Sequence, residues 1–275
     1  MKIPLYQIDA FTEDPFKGNP AAVCPTENAL EDELYQHIAA EMNLSETAFI
    51  HPAGKEGLQQ SSVFHLRWFT PETEVPLCGH GTLSAAYVLF TEYKISGTIT
   101  FLTKSGELRA GYEDGQVIMD FPVNRPEKIA VAETLKEPLN LTTNFTTYLN
   151  KEQGFLMLLL ESEKDVVSLT PDFGKLRKVR FPFEIHGLIV TAASDHECDF
   201  SSRVFVPWEG IDEDPVTGSA HTVLGPFWSE KLNKKRLTAF QASKRGGVLE
   251  LEVGRERMSI KGNAVKTIEG IIMSG

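Results

Sequence analysis

Glu213-Asp214-Pro215-Val216-Thr217-Gly218-Ser219-Ala220-His221 is the stretch on which the reading of this chain turns, because Leu77-Cys78-Gly79-His80-Gly81-Thr82 stands earlier as its counterpart. Displacing the sequence by 136 positions lays Arg67, Phe69 and Pro71 on Arg203, Phe205 and Pro207, and brings Cys78 onto Asp214. Each segment reads as a strand, a turn of small residues and then a helix. The echo predicts two related halves. A site between them is expected to see two such turns, one carrying a thiol and the other a carboxylate.

With 275 residues, 41% of them hydrophobic, the chain can bury a sizeable core in one large domain or two of ordinary size. A formal net charge of -11 gives no basic field for nucleic acid or an anionic membrane, so small molecules and proteins are the expected partners. Cys24, Cys78 and Cys198 are too few and too scattered for a disulfide framework, which fits a reducing compartment. Met1-Lys2-Ile3-Pro4 is followed by the acidic Asp9, Glu13 and Asp14, so no signal-peptide apolar region is expected. The longest apolar run, Phe155 to Leu160, is too short to span a bilayer. These features predict a soluble, cytoplasmic protein.

Outward from the two turns, residues 3–11 and 20–24 read as strands around a turn holding Pro15, Gly18, Asn19 and Pro20. Residues 30–42 read as a helix with an acidic first turn, Leu34, Ile38 and Met42 at helical spacing, and Asn43 as its end. Glu46 then falls at a helix-to-strand junction. After a strand over 62–70, residues 82–93 form a helix with almost no polar face, which a sheet must wrap to bury. A hairpin over 106–121 has its later counterpart at 247–262. The middle, 123–185, is the hardest to read: a strand stands out at 155–160, and Pro122, Pro126 and Pro138 mark 122–138 as the linker. Strands follow at 186–193 and 203–206. The helix that starts near Gly218 is expected to kink at Pro226.

Gly79-His80-Gly81-Thr82 and Thr217-Gly218-Ser219 each offer backbone amides at a helix start, where partial positive charge suits a carboxylate. Neither is a phosphate loop, since the Gly-Lys-Ser/Thr ending is absent. Glu46 suits general acid or base work if burial raises its pKa towards neutrality, and a surface carboxylate is the plainer alternative. His80 and His221 sit on the two turns, where a histidine also serves simply as a hydrogen-bonding residue. Cys78 is a nucleophile or base if the helix start lowers its pKa, and a small buried residue otherwise. His196-Glu197-Cys198 is a tight cluster of ligand types but lacks partners for a zinc site, so no metal is expected.

Several segments in fixed order match one family: Asp9-Ala10-Phe11, Gly18-Asn19-Pro20-Ala21-Ala22-Val23, Glu41-Met42-Asn43-Leu44-Ser45-Glu46-Thr47-Ala48-Phe49, Arg67-Trp68-Phe69-Thr70-Pro71, Cys78-Gly79-His80 and Glu213 to His221. On them the chain resembles the PhzF-like, or phenazine biosynthesis-like, proteins, relatives of diaminopimelate epimerase, and most closely their vertebrate branch. The resemblance runs nearly end to end. It implies an α+β fold of diaminopimelate epimerase type, with pseudo-symmetric halves at 1–122 and 123–275. Each half is a β-barrel-like sheet around a central α-helix, the last strand near 264–275 can return to the first half, and the active site lies in the cleft between halves.

By the same resemblance, Glu46 stands where the family's enzyme has its proton-shuttling glutamate, and His80 and Asp214 where it has an assisting histidine and aspartate. Ser219 stands where a serine binds substrate, Gly79 and Gly218 supply backbone amides, Asn19 is a further substrate contact, and Cys78 is an accessory thiol. The implied activity is a cofactor-independent isomerase or epimerase that moves a proton on a small carboxylate-bearing substrate, in a homodimer. The alternative is a non-catalytic protein that binds a WD-repeat or signalling partner.

Overall fold

Short apolar runs punctuated by glycine and proline become strands along most of the chain, in a computed structural model that describes residues 1–130 and 133–274. The chain divides into one unit made of Met1–Phe121 with the segment from Ser259 onward, and a second made of Pro122–Met258.

The first unit runs β1 (Lys2–Ala10), β2 (Asn19–Pro25), α1 (Asp32–Met42), β3 (Glu46–Pro52), β4 (Val63–Phe69), β5 (Glu74–Val75), α2 (Gly79–Thr91), β6 (Ile99–Thr103), β7 (Gly106–Glu113) and β8 (Gln116–Pro122). β2 pairs antiparallel with β1 and parallel with β3, and β3 pairs antiparallel with β4. The edge of β4 away from β3 takes β6 parallel at Val63–His65 and short β5 antiparallel at Trp68–Phe69, and β6, β7 and β8 form a meander. The meander turns at Asp114-Gly115, both with positive φ, the backbone a tight hairpin turn requires. Helix α1 ends at Asn43, whose left-handed backbone (φ 50°) lets its N–H reach Ala39 O. Its Tyr35, Ile38 and Ala39 pack with Ile3, Cys24, Phe49 and Phe69 in a buried cluster.

In the second unit the order is β9 (Glu127–Ile129), α3 (Lys136–Leu139), β10 (Thr146–Asn150), β11 (Phe155–Leu159), α4 (Glu163–Val167), α5 (Phe173–Leu176), β12 (Gly187–Ala193), β13 (Phe200–Val206), β14 (Ile211–Asp214), α6 (Gly218–Leu232), β15 (Arg236–Gln241) and β16 (Gly247–Val253). β11 and β12 are parallel, β12 and β13 antiparallel, and β13 takes short β14 antiparallel and β15 parallel before the β15–β16 hairpin. That is the succession of β2 to β7. Its core gathers Leu156, Leu158, Leu188, Val190 and Phe205. The chain returns through β17 (Arg257–Gly262) to β18 (Ala264–Met273), which runs antiparallel along the whole of β1, from Lys2↔Met273 to Ala10↔Ala264.

The apolar helix starts three residues earlier than its pattern suggests, at Gly79, and buries every residue from His80 to Phe90 except Tyr87. β1, β2, β3, β7 and β18 pack around it. Helix α6 continues through Pro226 to Leu232. Proline has no N–H to give the carbonyl four residues back, and the freed Thr222 O instead accepts from Asn124 N–H at 3.1 Å. The stretch read as a linker is largely structured: β9 pairs with β10, and Pro138 is buried in α3. Residues 131 and 132 of that stretch lie outside the described residues.

The internal echo is real in topology but its offset changes. Phe69 faces Glu74 across β4–β5, and Phe205 faces Glu213 across β13–β14. In both places an arginine two residues before the phenylalanine grips that glutamate and lies 5.0 Å over that ring. The 3-10 turn Pro207–Glu209 lengthens the second connection. From there the offset is 139, so Gly79 pairs with Gly218 and Cys78 with Thr217 rather than Asp214.

Candidate active site

The parallel pairing of β2 and β3 sets Glu46 opposite Ala21, two residues from Asn19, and α2 delivers Cys78 and His80 to the same place. Gly18 makes this approach possible: its φ is +63°, and a Cβ there would fall 2.1 Å from Ala10 O. His80 Nε2 lies 3.1 Å from Glu46 Oε2 and 3.4 Å from Ser45 Oγ. On the other edge of the ring, Nδ1 is 3.2 Å from Asn19 Nδ2 and 3.6 Å from Cys78 Sγ. Cys78 caps α2, its sulfur accepting from Gly81 N–H at 3.3 Å, while Thr82 Oγ1 donates to Cys78 O at 2.6 Å. Asn19, Cys78 and His80 are buried, and the Glu46 side chain keeps 17% of its surface.

Burial pushes the Glu46 carboxyl up, but the charge of His80 and hydrogen bonds from His80 and Ser45 outweigh it and hold the group below its ordinary value. Burial pulls His80 down, and its electrostatic contacts and hydrogen bonds with Cys78 and Glu46 carry it well above its ordinary value. The pair is therefore carboxylate and imidazolium at neutral pH. Glu46 is not raised towards neutrality, because a charged partner sits against it. Nor is the Cys78 thiol lowered: burial, then the Glu46 charge, push it up past the help of His80 and the Gly81 amide. The Asn19 amide presents Nδ2 to Nδ1 at 3.2 Å, and an imidazolium there would need that amide turned over so that its oxygen accepts.

The second turn lies in the other unit. There Thr217 Oγ1 donates to Asp214 Oδ2 at 2.5 Å, and buried Gln241 ties the turn together. Its Oε1 accepts from Thr217 N–H at 2.9 Å, and its Nε2 donates to Asp214 O at 2.8 Å. Gly218 and Ser219 open α6, with Gly218 buried and Ser219 half-buried. His221 is a core residue: its Nδ1 donates to Thr217 O at 2.8 Å, and burial drops its pKa to about 4. The first unit thus brings Asn19, Glu46, Cys78 and His80 into one cluster, and the second brings Asp214, Thr217, Gly218 and Ser219 into another.

Ser45 and Gln241 carry no expected role from the sequence, and Thr217 is expected there only as a backbone amide at a helix start. Thr217 was findable at the corrected offset, as the counterpart of Cys78; nothing in the sequence marks Gln241, whose role comes from β15 lying parallel to β13. A second omission concerns metals. Glu46, Cys78 and His80 offer ligand atoms within 4.8 Å of one another, though Glu46 is distant in the chain from the other two. At His196-Glu197-Cys198 the nearby buried carboxylate, Glu163, is engaged by Ser194 Oγ, Ser201 Oγ and Asp195 N–H.

No described helix is long and apolar enough to cross a membrane. The family model described as phenazine biosynthesis-like protein matches residues 8–270. The phenazine biosynthesis-like domain-containing protein of Bos taurus is 44% identical, over 99% of each chain. An uncharacterized isomerase of Halalkalibacterium halodurans is 43% identical, also over 99% of each. Among solved structures, a PhzF-family phenazine biosynthesis protein from Enterococcus faecalis is 41% identical and superposes with a TM-score of 0.91 over the whole of both chains. With its fold, its repeated strand–turn–helix units and this full-length similarity, the chain belongs to the phenazine biosynthesis-like family.

Proposed function

We propose that the protein is a cofactor-independent isomerase or epimerase that moves a proton on a small, carboxylate-bearing substrate. The observation that carries this reading is the 3.1 Å pair of Glu46 carboxylate and His80 imidazolium beside the start of a 13-residue helix. The isomerase name of a relative 43% identical agrees with it. Glu46 takes a proton from carbon, and the electron pair left behind delocalises into an adjacent carbonyl or carboxylate. His80 and the amides at Gly79 face that developing negative charge, the interaction that most lowers such a barrier. A carboxyl held below its ordinary range is a modest base but returns its proton readily, which suits a group that must deliver it to a second carbon.

The remaining assignments belong to the same proposal. Asn19 orients His80 and contacts substrate, and Cys78 is an accessory group whose raised pKa argues against a thiolate base. Asp214 assists catalysis by orienting substrate or tuning Glu46, and Gly218 and Ser219 contribute to substrate binding. Homodimerisation and a cytoplasmic location are also proposed.

Deuterium incorporation from heavy water into a metabolite extract, read by mass spectrometry with the native protein and with Glu46→Gln, tests the reading. A compound labelled by the native protein alone is the expected result and identifies the substrate class. Equal labelling by both removes Glu46 from the mechanism. No labelling across extracts rich in small carboxylates would favour the non-catalytic role with a WD-repeat or signalling partner.

A further inference from the structure

We propose that Ser45 is a positioning residue for the Glu46–His80 pair, a hydroxyl that holds the His80 ring while Glu46 carries the proton from one carbon to the next. This role rests on the proton-transfer reading above and names the group that lets one carboxyl serve both ends of the transfer. Neighbouring residues in a strand point to opposite faces, so a serine beside Glu46 would ordinarily turn away from it. Here β3 begins only at Glu46, and Ser45 stands in the turn after the left-handed Asn43 that ends α1. Both side chains therefore meet the same ring nitrogen. Ser45 Oγ lies 3.4 Å from His80 Nε2, and Glu46 Oε2 lies 3.1 Å from it. Glu46 is the nearer of the two and Ser45 the better aligned, since Glu46 Oε2 is a buried oxygen with no hydrogen bond directed squarely at it.

The hydroxyl has two partners because it can both donate and accept. With Glu46 ionised, Ser45 O–H donates to the carboxylate and is one of the contacts that hold it below its ordinary value. Once Glu46 has taken a proton from carbon, the carboxyl is neutral and the electron pair stays on the substrate. The attraction that kept Glu46 against His80 is then gone, and the carboxyl must turn to present its O–H to the second carbon. His80 Nε2–H would be left as a buried donor without an acceptor, which is costly. Ser45 Oγ is the acceptor already in place. Return of the proton to the second carbon restores the carboxylate, and Ser45 donates to it again. One proton leaves the first carbon, one reaches the second, and Ser45 gives up none.

The titratable groups that face Glu46 are His80 and Cys78, both from α2, while β2 sets Ala21 opposite it. Cys78 cannot take the place of Ser45. Its sulfur sits nearer the other edge of the ring, 3.6 Å from Nδ1 against 4.0 Å from Nε2, and is a weak acceptor.

Two measurements on the full chain test the role, with Ser45→Ala to remove the hydroxyl and Ser45→Thr to restore it. The first needs no substrate. In a carbon-detected NMR titration, the Glu46 carboxyl should titrate at higher pH in Ser45→Ala than in the native protein, and Ser45→Thr should bring it back. The second follows deuterium incorporation from heavy water into the compound that the native protein labels, across pH. Ser45→Ala should lower kcat about tenfold, the worth of one hydrogen bond to a charged group, with KM little changed and the acid limb of the profile moved to higher pH. Ser45→Thr should recover most of the rate. Circular dichroism checks folding, and Ser45→Cys, of similar size but with a poor donor, repeats the test if Ser45→Ala does not fold. Labelling by Ser45→Ala at the native rate overturns the proposal, as does an acid limb that stays where it was. Labelling by no form of the protein, native included, overturns the proton-transfer reading and this role with it.

Discussion

At the scale of single residues, the site is an argument between burial and charge. Burial alone would neutralise both Glu46 and His80, and their mutual contact reverses it for each. The consequences for stability differ in sign. His80, raised above its ordinary 6.5, contributes stability that is fully present below about pH 6.5 and is lost as pH rises through its folded value. Glu46, depressed below its ordinary 4.5, contributes stability that is present above about pH 4.5 and is lost as pH falls through its folded value. The pair is therefore at full strength between those two pH values. In an NMR titration, the His80 ring should change protonation well above pH 6.5 in the native protein and at lower pH in Glu46→Gln. An unmoved midpoint in the variant would show that Glu46 is not what holds the proton on His80.

This is also the scale at which the sequence was hardest to read. Glu46 was legible as a carboxylate at the mouth of a strand, but its pKa direction depended on a histidine 34 positions away that only the α2–β3 contact delivers. Helix-start chemistry alone suggested a reactive Cys78, and it lost to the cost of burying a thiolate beside a carboxylate. His221 looked as eligible as His80. One backbone carbonyl at 2.8 Å and an apolar surround make it a neutral core residue.

At the scale of elements, periodicity served well where one face was buried. The apolar helix, both strand–turn–helix units and the β7–β8 hairpin were all readable, because amphipathic or wholly apolar patterns report burial directly. The region from 123 to 185 was not, since its strands are short and α3, α4 and α5 span only four or five residues each, too few for a period to show. The twin arginines give a test of how alike the repeated units are. Arg203 has only 11% of its side chain exposed, grips Glu213 with two bonds and also donates to Leu169 O. Arg67 has 26% exposed, and its partner Glu74 keeps Lys104 when the arginine is lost. Arg203→Ala should cost roughly 3 kcal/mol, because it removes a nearly buried arginine and leaves the half-buried Glu213 carboxylate and Leu169 O without it. Arg67→Ala should cost about 1 kcal/mol, nearer the value of a solvent-screened pair. Hydrogen exchange followed by mass spectrometry reads the two units separately, so each loss should appear in the unit that holds the arginine. Equal costs would mean that the second unit relaxes around Glu213.

At the scale of the whole molecule, the second unit is one continuous piece of chain, whereas the first is assembled from both ends. Every residue of β1 from Lys2 to Ala10 pairs with a strand that begins at Ala264. Removing residues 264–275 should leave β1 with an unpaired edge beside apolar Ile3 and Ile8, and such an edge invites association between chains. Light scattering and limited proteolysis of the truncated protein should show aggregation and a first unit cut readily, with 122–258 surviving as a resistant fragment. Loss of both units together would instead mean that the second unit depends on the first.

That pairing also sets a timetable for synthesis. Domains fold as units as the chain emerges, yet here β1 has to wait for residues 264–273 before its edge is paired. The second unit is itself complete only at residue 258, so the first stays open while the second is being made, and β18 closes it soon afterwards. A nascent chain stalled before residue 264 then carries an open β1 edge, so the arrival of the closing strand decides how long that edge is exposed to association.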